Sequence, residues 1–234
     1  MTNIKWLNRP AVVILGLALI CLAACRPRSG EQDAAEEPAA RPVMALTRTF
    51  FYECEGDFQF PARLEDDVLQ LFLPDQTVEL PRVPSESGER FSDGRVSFWS
   101  DDGQARLETS PGMTYRCRNN AARAVWEHAK LSGVDFRAVG NEPGWHLEIH
   151  EGEKIVFVTD YGTARYTFAA PEPEMDPAAR TRTYRIRDRN HALIVVIEGR
   201  PCTDSMRGEE FEAVVTVTLD ARRLTGCGRA LRIP

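Results

Sequence analysis

Hydrophobic and polar positions divide the chain into five stretches. Ala11 to Leu22 is apolar apart from one Gly and one Cys, behind the positive residues Lys5 and Arg9. About a dozen apolar residues is short for a ~30 Å hydrocarbon core, so the pattern predicts a removable signal segment, not a permanent span. Arg26 to about Thr47 is rich in Ala, Pro and Glu and has no hydrophobic period, which predicts a flexible tether. As a coil it would span on the order of 25 Å, and stretched roughly 70 Å. From Phe50 to Arg118 the signals are short strands with closely spaced turns. Leu69, Leu71 and Leu73 alternate with Gln70 and Phe72 ahead of Pro74-Asp75, and Thr77 to Val83 follows. Arg95 to Ser100 follows Asp93-Gly94, and Gln104 to Glu108 follows Asp102-Gly103, both hairpin signals.

Asn120 to Ser132 is the one good helix, with Ala121, Val125 and Ala129 at i, i+4 and i+8, Leu131 near that stripe and Gly133 as a stop. It reads as a spacer that packs between two modules. Beyond it the strand pattern returns at Gly144–His150, Lys154–Val158, Ala164–Phe168, Thr183–Arg187, Ala192–Glu198 and Glu212–Leu219, with Pro171 to Ala179 as a Pro-rich loop. The fold class expected is all-β: a small antiparallel barrel, the spacer helix, and a second antiparallel β domain.

Leu22-Ala23-Ala24-Cys25 changes the reading of the N-terminus. These residues resemble the lipobox of bacterial lipoproteins, in which the chain is cut before the cysteine and the cysteine is lipidated. The alternative is an ordinary signal peptide cut at an A-x-A site. The lipobox reading makes 1–24 the lipoprotein signal peptide, Cys25 the lipidated first residue, and 25–47 the linker. Arg26 follows the cysteine where an Asp would retain a lipoprotein at the inner membrane under the enteric sorting rule. The expected location is therefore the cell envelope, lipid-anchored in the outer membrane and facing the periplasm.

Removing Lys5 and Arg9 leaves 27 basic against 35 acidic residues, a net charge of −8. So acidic a chain is a poor candidate for nucleic acid or for anionic lipid surfaces, and a plausible partner for something basic. An oxidising periplasm permits disulfides. Beyond the export region stand Cys54, Cys117, Cys202 and Cys227, which allow three pairings. Cys54–Cys117 and Cys202–Cys227 are expected, because each pair brackets a stretch with its own strand pattern. A metal site is the alternative, but no C-x-x-C spacing occurs and no metal or cofactor is expected.

The ordered motifs between the first two of these cysteines carry a resemblance. Tyr52-Glu53-Cys54 opens the stretch and Tyr115-Arg116-Cys117 closes it. Between them stand Leu71-x-Leu73-Pro74, Leu80-Pro81, Ser87-Gly88-Glu89-Arg90-Phe91-Ser92-Asp93-Gly94, and Phe98-Trp99 followed by Ala105. This order resembles the membrane-bound lysozyme inhibitors of C-type lysozyme, the MliC family. The resemblance covers about Phe50 to Arg118 and implies a lysozyme-inhibitor-like barrel over 48–118. It implies a periplasmic lipoprotein whose partner is a C-type lysozyme or related muramidase. In that family a loop around an S-G-x-x-Y motif enters the lysozyme cleft with a lysine from an F-W-x-K-G-like turn. A lysozyme cleft holds two carboxylates, so a hydroxyl and an ammonium make charge-assisted bonds there. Carried over, the hydroxyl is Ser87, Gly88 allows close backbone approach, and Phe91 stands in place of the family Tyr. The family lysine falls on Asp101, and in a shifted register on Asp102. Arg90, Arg95 and Arg106 are the candidate substitutes for the missing cation. The bland alternative is that Ser87 to Gly94 is a polar hairpin loop and Asp101–Gly103 a turn.

In the second module, Val139 to Trp145, Cys202 to Gly208 and Leu224-x-Gly226-Cys227-Gly228 resemble a domain of uncharacterised bacterial envelope lipoproteins. That implies an all-β unit over 119–234, with the helix at its start, and names no activity. Trp145 reads as core, Asp204 and Ser205 as turn formers, and Glu142 as the best candidate carboxylate. His146, Glu148 and His150 suggest a metal cluster only if helical. On a strand the two imidazoles stand ~13 Å apart. No G-x-S-x-G, H-E-x-x-H or Gly-rich phosphate loop occurs, so an enzyme is not expected. The function expected is inhibition of a lysozyme through the Ser-Gly loop. The alternative is an envelope interaction or scaffold lipoprotein whose inhibitor-like domain has lost inhibition.

Overall fold

The computed structural model describes residues 47–109 and 112–232. The expected signal segment, Cys25 and the linker up to residue 46 lie outside the described residues. Eight antiparallel strands close into a barrel in chain order: β1 (Arg48–Cys54), β2 (Gln59–Glu65), β3 (Val68–Phe72), β4 (Thr77–Val83), β5 (Glu89–Ser92), β6 (Ser97–Asp101), β7 (Gln104–Thr109) and β8 (Met113–Asn119). The two-residue period of a strand sends alternate side chains inward. Phe60, Ala62 and Leu64 of β2, Leu69 and Leu71 of β3, Leu80, Phe91, Phe98 and Leu107 fill the interior. A barrel of this size has room for side chains and no channel. Its closing seam is short: β1 and β8 share the register pairs Tyr52↔Asn119, Glu53↔Arg118 and Cys54↔Cys117. The Cys54–Cys117 disulfide lies on that seam.

Helix α1 (Ala121–Leu131) follows, with the Asn120 side chain capping the Arg123 N–H at 3.0 Å. Its buried residues are Ala124 and Ala129, whereas Ala121 and Val125 are exposed. The expected Ala121-Val125-Ala129 stripe is therefore corrected. An i, i+4, i+8 stripe assumes one partner surface, and α1 has two. Towards the barrel, Thr49 Oγ1 meets His128 Nδ1 at 2.9 Å, and Arg123 lies over the Phe51 ring at 4.0 Å while donating to Gln59 Oε1 at 2.7 Å. Towards the second module, Trp126 packs on Phe211 at 5.4 Å between centroids.

That module holds β9 (Phe136–Asn141), β10 (Gly144–His150), β11 (Lys154–Thr159), β12 (Ala164–Ala169), β13 (Glu174–Asp176), β14 (Thr181–Arg187), β15 (Ala192–Glu198), β16 (Cys202–Thr203), β17 (Glu210–Phe211), β18 (Ala213–Leu219) and β19 (Arg222–Ala230). Nine of them form one curled antiparallel sheet in the order β12-β11-β10-β9-β19-β18-β15-β14-β13, and β16 pairs with β17. Leu147, Ile149, Ile155, Phe157, Leu193, Val195, Val215 and Val217 fill its concave side. Trp145 joins them because two neighbouring strands carry glycine. A Cβ on Gly140 would lie 2.1 Å from Trp145 Nε1, and one on Gly226 2.7 Å from Trp145 Cζ2. The Cys202–Cys227 disulfide ties the short β16–β17 hairpin to β19. The sequence pattern predicts no strand at Phe136–Asn141, Cys202–Thr203, Glu210–Phe211 or Arg222–Ala230, and β13 lies within the segment expected to be a Pro-rich loop.

Candidate functional site

The loop Pro84 to Gly88 joins β4 to β5 at the barrel's other short seam, where only Arg82↔Phe91 and Val83↔Arg90 are in register. Ser87 is exposed on this loop. Its carbonyl accepts a hydrogen bond from Trp99 Nε1 at 2.9 Å, which pins the loop to β6. Gly88 has φ +63, and a Cβ there would lie 2.4 Å from the Ser100 carbonyl oxygen. Glycine is needed twice over, for the left-handed backbone and for the close approach to β6.

Strand register builds the surface beneath Ser87. Arg90 lies opposite Trp99, Trp99 opposite Arg106, and Arg106 opposite Arg116. Since Phe91, Phe98 and Leu107 point inward, this row points outward. Ser87, Arg90, Trp99 and Arg106 line one groove of about 590 Å³. Arg90 Nε donates to Ser97 Oγ at 3.3 Å, and Arg106 meets Glu108 at 2.8 Å. Two of the three candidate substitutes for the missing cation thus stand with Ser87. Arg95 does not: it sits in the β5–β6 turn, with its N–H on Asp93 Oδ1 at 2.8 Å.

Asp101 stands elsewhere. The β6–β7 turn places Asp102 at φ +42 and Gly103 at φ +76, a left-handed pair suited to a tight hairpin. Asp101, Asp102, Gly88 and Glu89 border a second cleft of about 220 Å³ with Tyr52 and Ser100. Ser87 and Asp101 therefore open onto different sides of Gly88. Burial pushes the Tyr52 phenol up to about 12, against a hydrogen bond from Ser100. Phe91, expected in the binding loop, is 1% exposed in the barrel core with the Arg82 guanidinium 4.7 Å from its ring centre. It is corrected to a packing residue, because the alternation along β5 turns it inward.

In the second module Trp145 is core, as expected. Asp204 is buried and closes its own turn, accepting from Asn141 Nδ2 at 2.8 Å, the Met206 N–H at 3.0 Å and the Arg207 N–H at 2.8 Å. Burial works to raise its carboxyl, and these bonds hold it below the usual range. Glu142 is exposed at the β9–β10 turn. His146, Glu148 and His150 point away from the sheet core, and Glu148 is ion-paired with the buried Arg137. Among the described residues no group of three or more His, Cys, Asp or Glu could hold a metal ion.

His146 is pushed down to about 4, first by burial and then by the positive Arg137 and Arg165. Between about 6.5 and 4 the unfolded chain binds a proton that the folded chain refuses, so stability falls as pH drops through that window. Discounted for the partly exposed ring, the loss is about 1–2 kcal/mol. His146→Gln is expected to remove that part of the pH dependence. Urea unfolding of both proteins at pH 7 and pH 4.5 measures it, and parallel changes would rule His146 out.

Residues 52–112 match the family model described as membrane-bound lysozyme-inhibitor of c-type lysozyme. The match spans the Ser87 loop, Arg90, Trp99, Asp101 and Arg106, and stops before Cys117. No curated protein and no solved structure matches the chain.

Proposed function

We propose that the chain is a lipid-anchored envelope protein whose barrel blocks a C-type lysozyme or a related muramidase. Residues 48–118 form the inhibitor domain and 119–234 a second envelope domain, held off the outer membrane by the linker behind Cys25. The observation that carries the reading is the groove in which Ser87 stands with Arg90, Trp99 and Arg106, inside the matched residues. A lysozyme cleft presents a general acid and a second carboxylate. The Ser87 hydroxyl supplies a hydrogen bond to one, and an arginine supplies a charge-assisted, fork-shaped partner for the other. The family lysine is thereby replaced by arginines from β5 and β7, on the opposite side of Gly88 from the acidic turn.

Asp101 and Asp102 oppose such docking, because like charges facing each other across an interface cost affinity. Asp101→Lys is expected to strengthen inhibition of a C-type lysozyme about tenfold, close to 1.4 kcal/mol. Ser87→Ala is expected to weaken it and to cancel much of that gain in the double variant. Lysozyme activity on cell-wall substrate against inhibitor concentration, for the four proteins of the cycle, decides the matter. No change from Asp101→Lys with the fold intact would remove that turn from the interface. Saturable binding without inhibition would favour the second reading, an envelope scaffold, which the acids at the family lysine position support. For the anchor, Cys25→Ser is expected to leave the protein unprocessed or released in soluble form. Normal processing and membrane retention of that variant would overturn lipidation.

A further inference from the structure

We propose that a groove on the second module is a binding site for a small amphiphilic carboxylate, an anionic head on an apolar chain. The groove holds about 670 Å³ between α1, the outer face of β9 and β10, and the loop after β16. That is the size of a small-molecule site. Three large apolar side chains on its rim are left in water: Val125 is 48% exposed, Met206 76% and Tyr161 77%. They come from three separate elements and converge on this one concavity. Tyr161 is held out deliberately. It and Asp160 both have left-handed backbone, φ +56 and +53, and two bonds from Arg222 to the Asp160 carboxylate, at 2.8 and 3.0 Å, fix that turn.

The polar part of the lining is rich in donors and has no free carboxylate. Arg137 is 7% exposed. Its Nη1 pairs with Glu148, while its buried Nε has no partner. Arg207 lines the groove and, among the described residues, forms no ion pair. Ala121 and Ala122, the first residues of α1, also line it, and the first turn of that helix carries no acid. Of the acids, Asp204 is consumed by its turn and Glu209 is ion-paired with Arg229. His146 borders the groove as a neutral ring at neutral pH. An arginine that forms no ion pair among the described residues, the nearby Arg137 guanidinium and a helix start favour an acceptor-rich anion. The apolar rim calls for a hydrocarbon chain beside it. A cation would meet Arg207 and Arg137, and a neutral chain would leave the donors unmatched.

The probe is dodecanoate, titrated calorimetrically into the mature chain below its micelle-forming concentration. Dodecyltrimethylammonium and dodecyl maltoside serve as the cationic and uncharged probes, and phosphatidylglycerol vesicles test a membrane as the source of the anion. The expected result is saturable binding of one dodecanoate per chain, with neither of the other detergents binding comparably. Arg207→Glu, at the surface, is expected to weaken binding about tenfold. Val125→Ser with Met206→Ser is expected to weaken it severalfold, with the circular dichroism of the native protein retained. Absence of saturable dodecanoate binding overturns the proposal. So does equal binding of the cationic probe, or an unchanged affinity in Arg207→Glu. Vesicle binding that is lost in Arg207→Glu, without binding of free dodecanoate, also overturns it and makes this face a membrane contact.

Discussion

Arg90→Glu combined with Arg106→Glu is expected to weaken lysozyme inhibition at least a hundredfold. Both guanidinium groups stand beside Ser87 in one groove and flank Trp99 through adjacent strand registers. Reversing each removes an attraction and installs a repulsion towards a carboxylate pair. About 1.5 kcal/mol or more per site is the scale of close interfacial charge pairs, and two sites together exceed about 2.7 kcal/mol, the value of a hundredfold. Neither side chain is buried, so the fold should keep its stability within about 0.5 kcal/mol. Raising salt should weaken the native protein's inhibition and change the double variant little, because its attraction is already gone. Inhibition constants for native, single and double variants, at low and high salt, provide the test. Native-like inhibition by the double variant would end the role given to this groove. Loss in Arg106→Glu alone, with Arg90→Glu silent, would narrow the contact to β7.

The second large effect concerns barrel closure. Cys54→Ser with Cys117→Ser is expected to cost about 4 kcal/mol of stability, the chain-entropy value for a loop with a sequence separation of 63. The corresponding double substitution at Cys202 and Cys227, with a separation of 25, is expected to cost about 3.5 kcal/mol. The two losses differ in kind. The first opens a seam of three register pairs and frees the edges of β1 and β8, so aggregation should accompany it. The second releases a two-stranded hairpin from a sheet that stays paired without it. Urea unfolding with native, 54/117 and 202/227 proteins measures both. A cost below about 1 kcal/mol at 54/117 would mean that side-chain packing alone holds the seam shut.

Much of this architecture is legible in the chain. Alternation at Leu69, Leu71 and Phe98, with the turns Asp93-Gly94 and Asp102-Gly103, marks the barrel strands. Ala192–Glu198 and Gly144–His150 carry their two-residue period openly and are found with those bounds. What escapes the reading has identifiable physical causes. Arg222–Ala230 contains Gly226 and Gly228, which weaken any strand signal. Those glycines are there because Trp145 and Phe136 occupy the space where Cβ atoms would stand, a reason that exists only in three dimensions. The buried helix face does not follow a single i, i+4 stripe because α1 serves two surfaces. At the barrel site, Ser87 and the candidate arginines are visible in sequence, but their partition is not. Register alone puts Arg90 and Arg106 with Ser87 and puts Asp101 across Gly88. Nothing in sequence links Val125, Tyr161 and Met206, which come together only through the packing of α1 against the sheet.

The double allegiance of α1 bears on how this chain can be cut. A fragment ending at Arg118 would keep every barrel strand nearly whole and both cysteines of the seam. It would nonetheless lose Asn120, whose N–H bonds the Phe51 carbonyl at 2.7 Å and whose side chain bonds Glu53, and it would lose the Arg123 guanidinium that roofs the Phe51 ring. Phe51, 3% exposed in the intact chain, would become a bare ring on the outside of the barrel. A barrel fragment that keeps its own roof must run past the helix, beyond Ser132, and it then bares Trp126, which packs on Phe211 in the intact chain. Either cut leaves an aromatic ring uncovered, so the helix ties the two modules together.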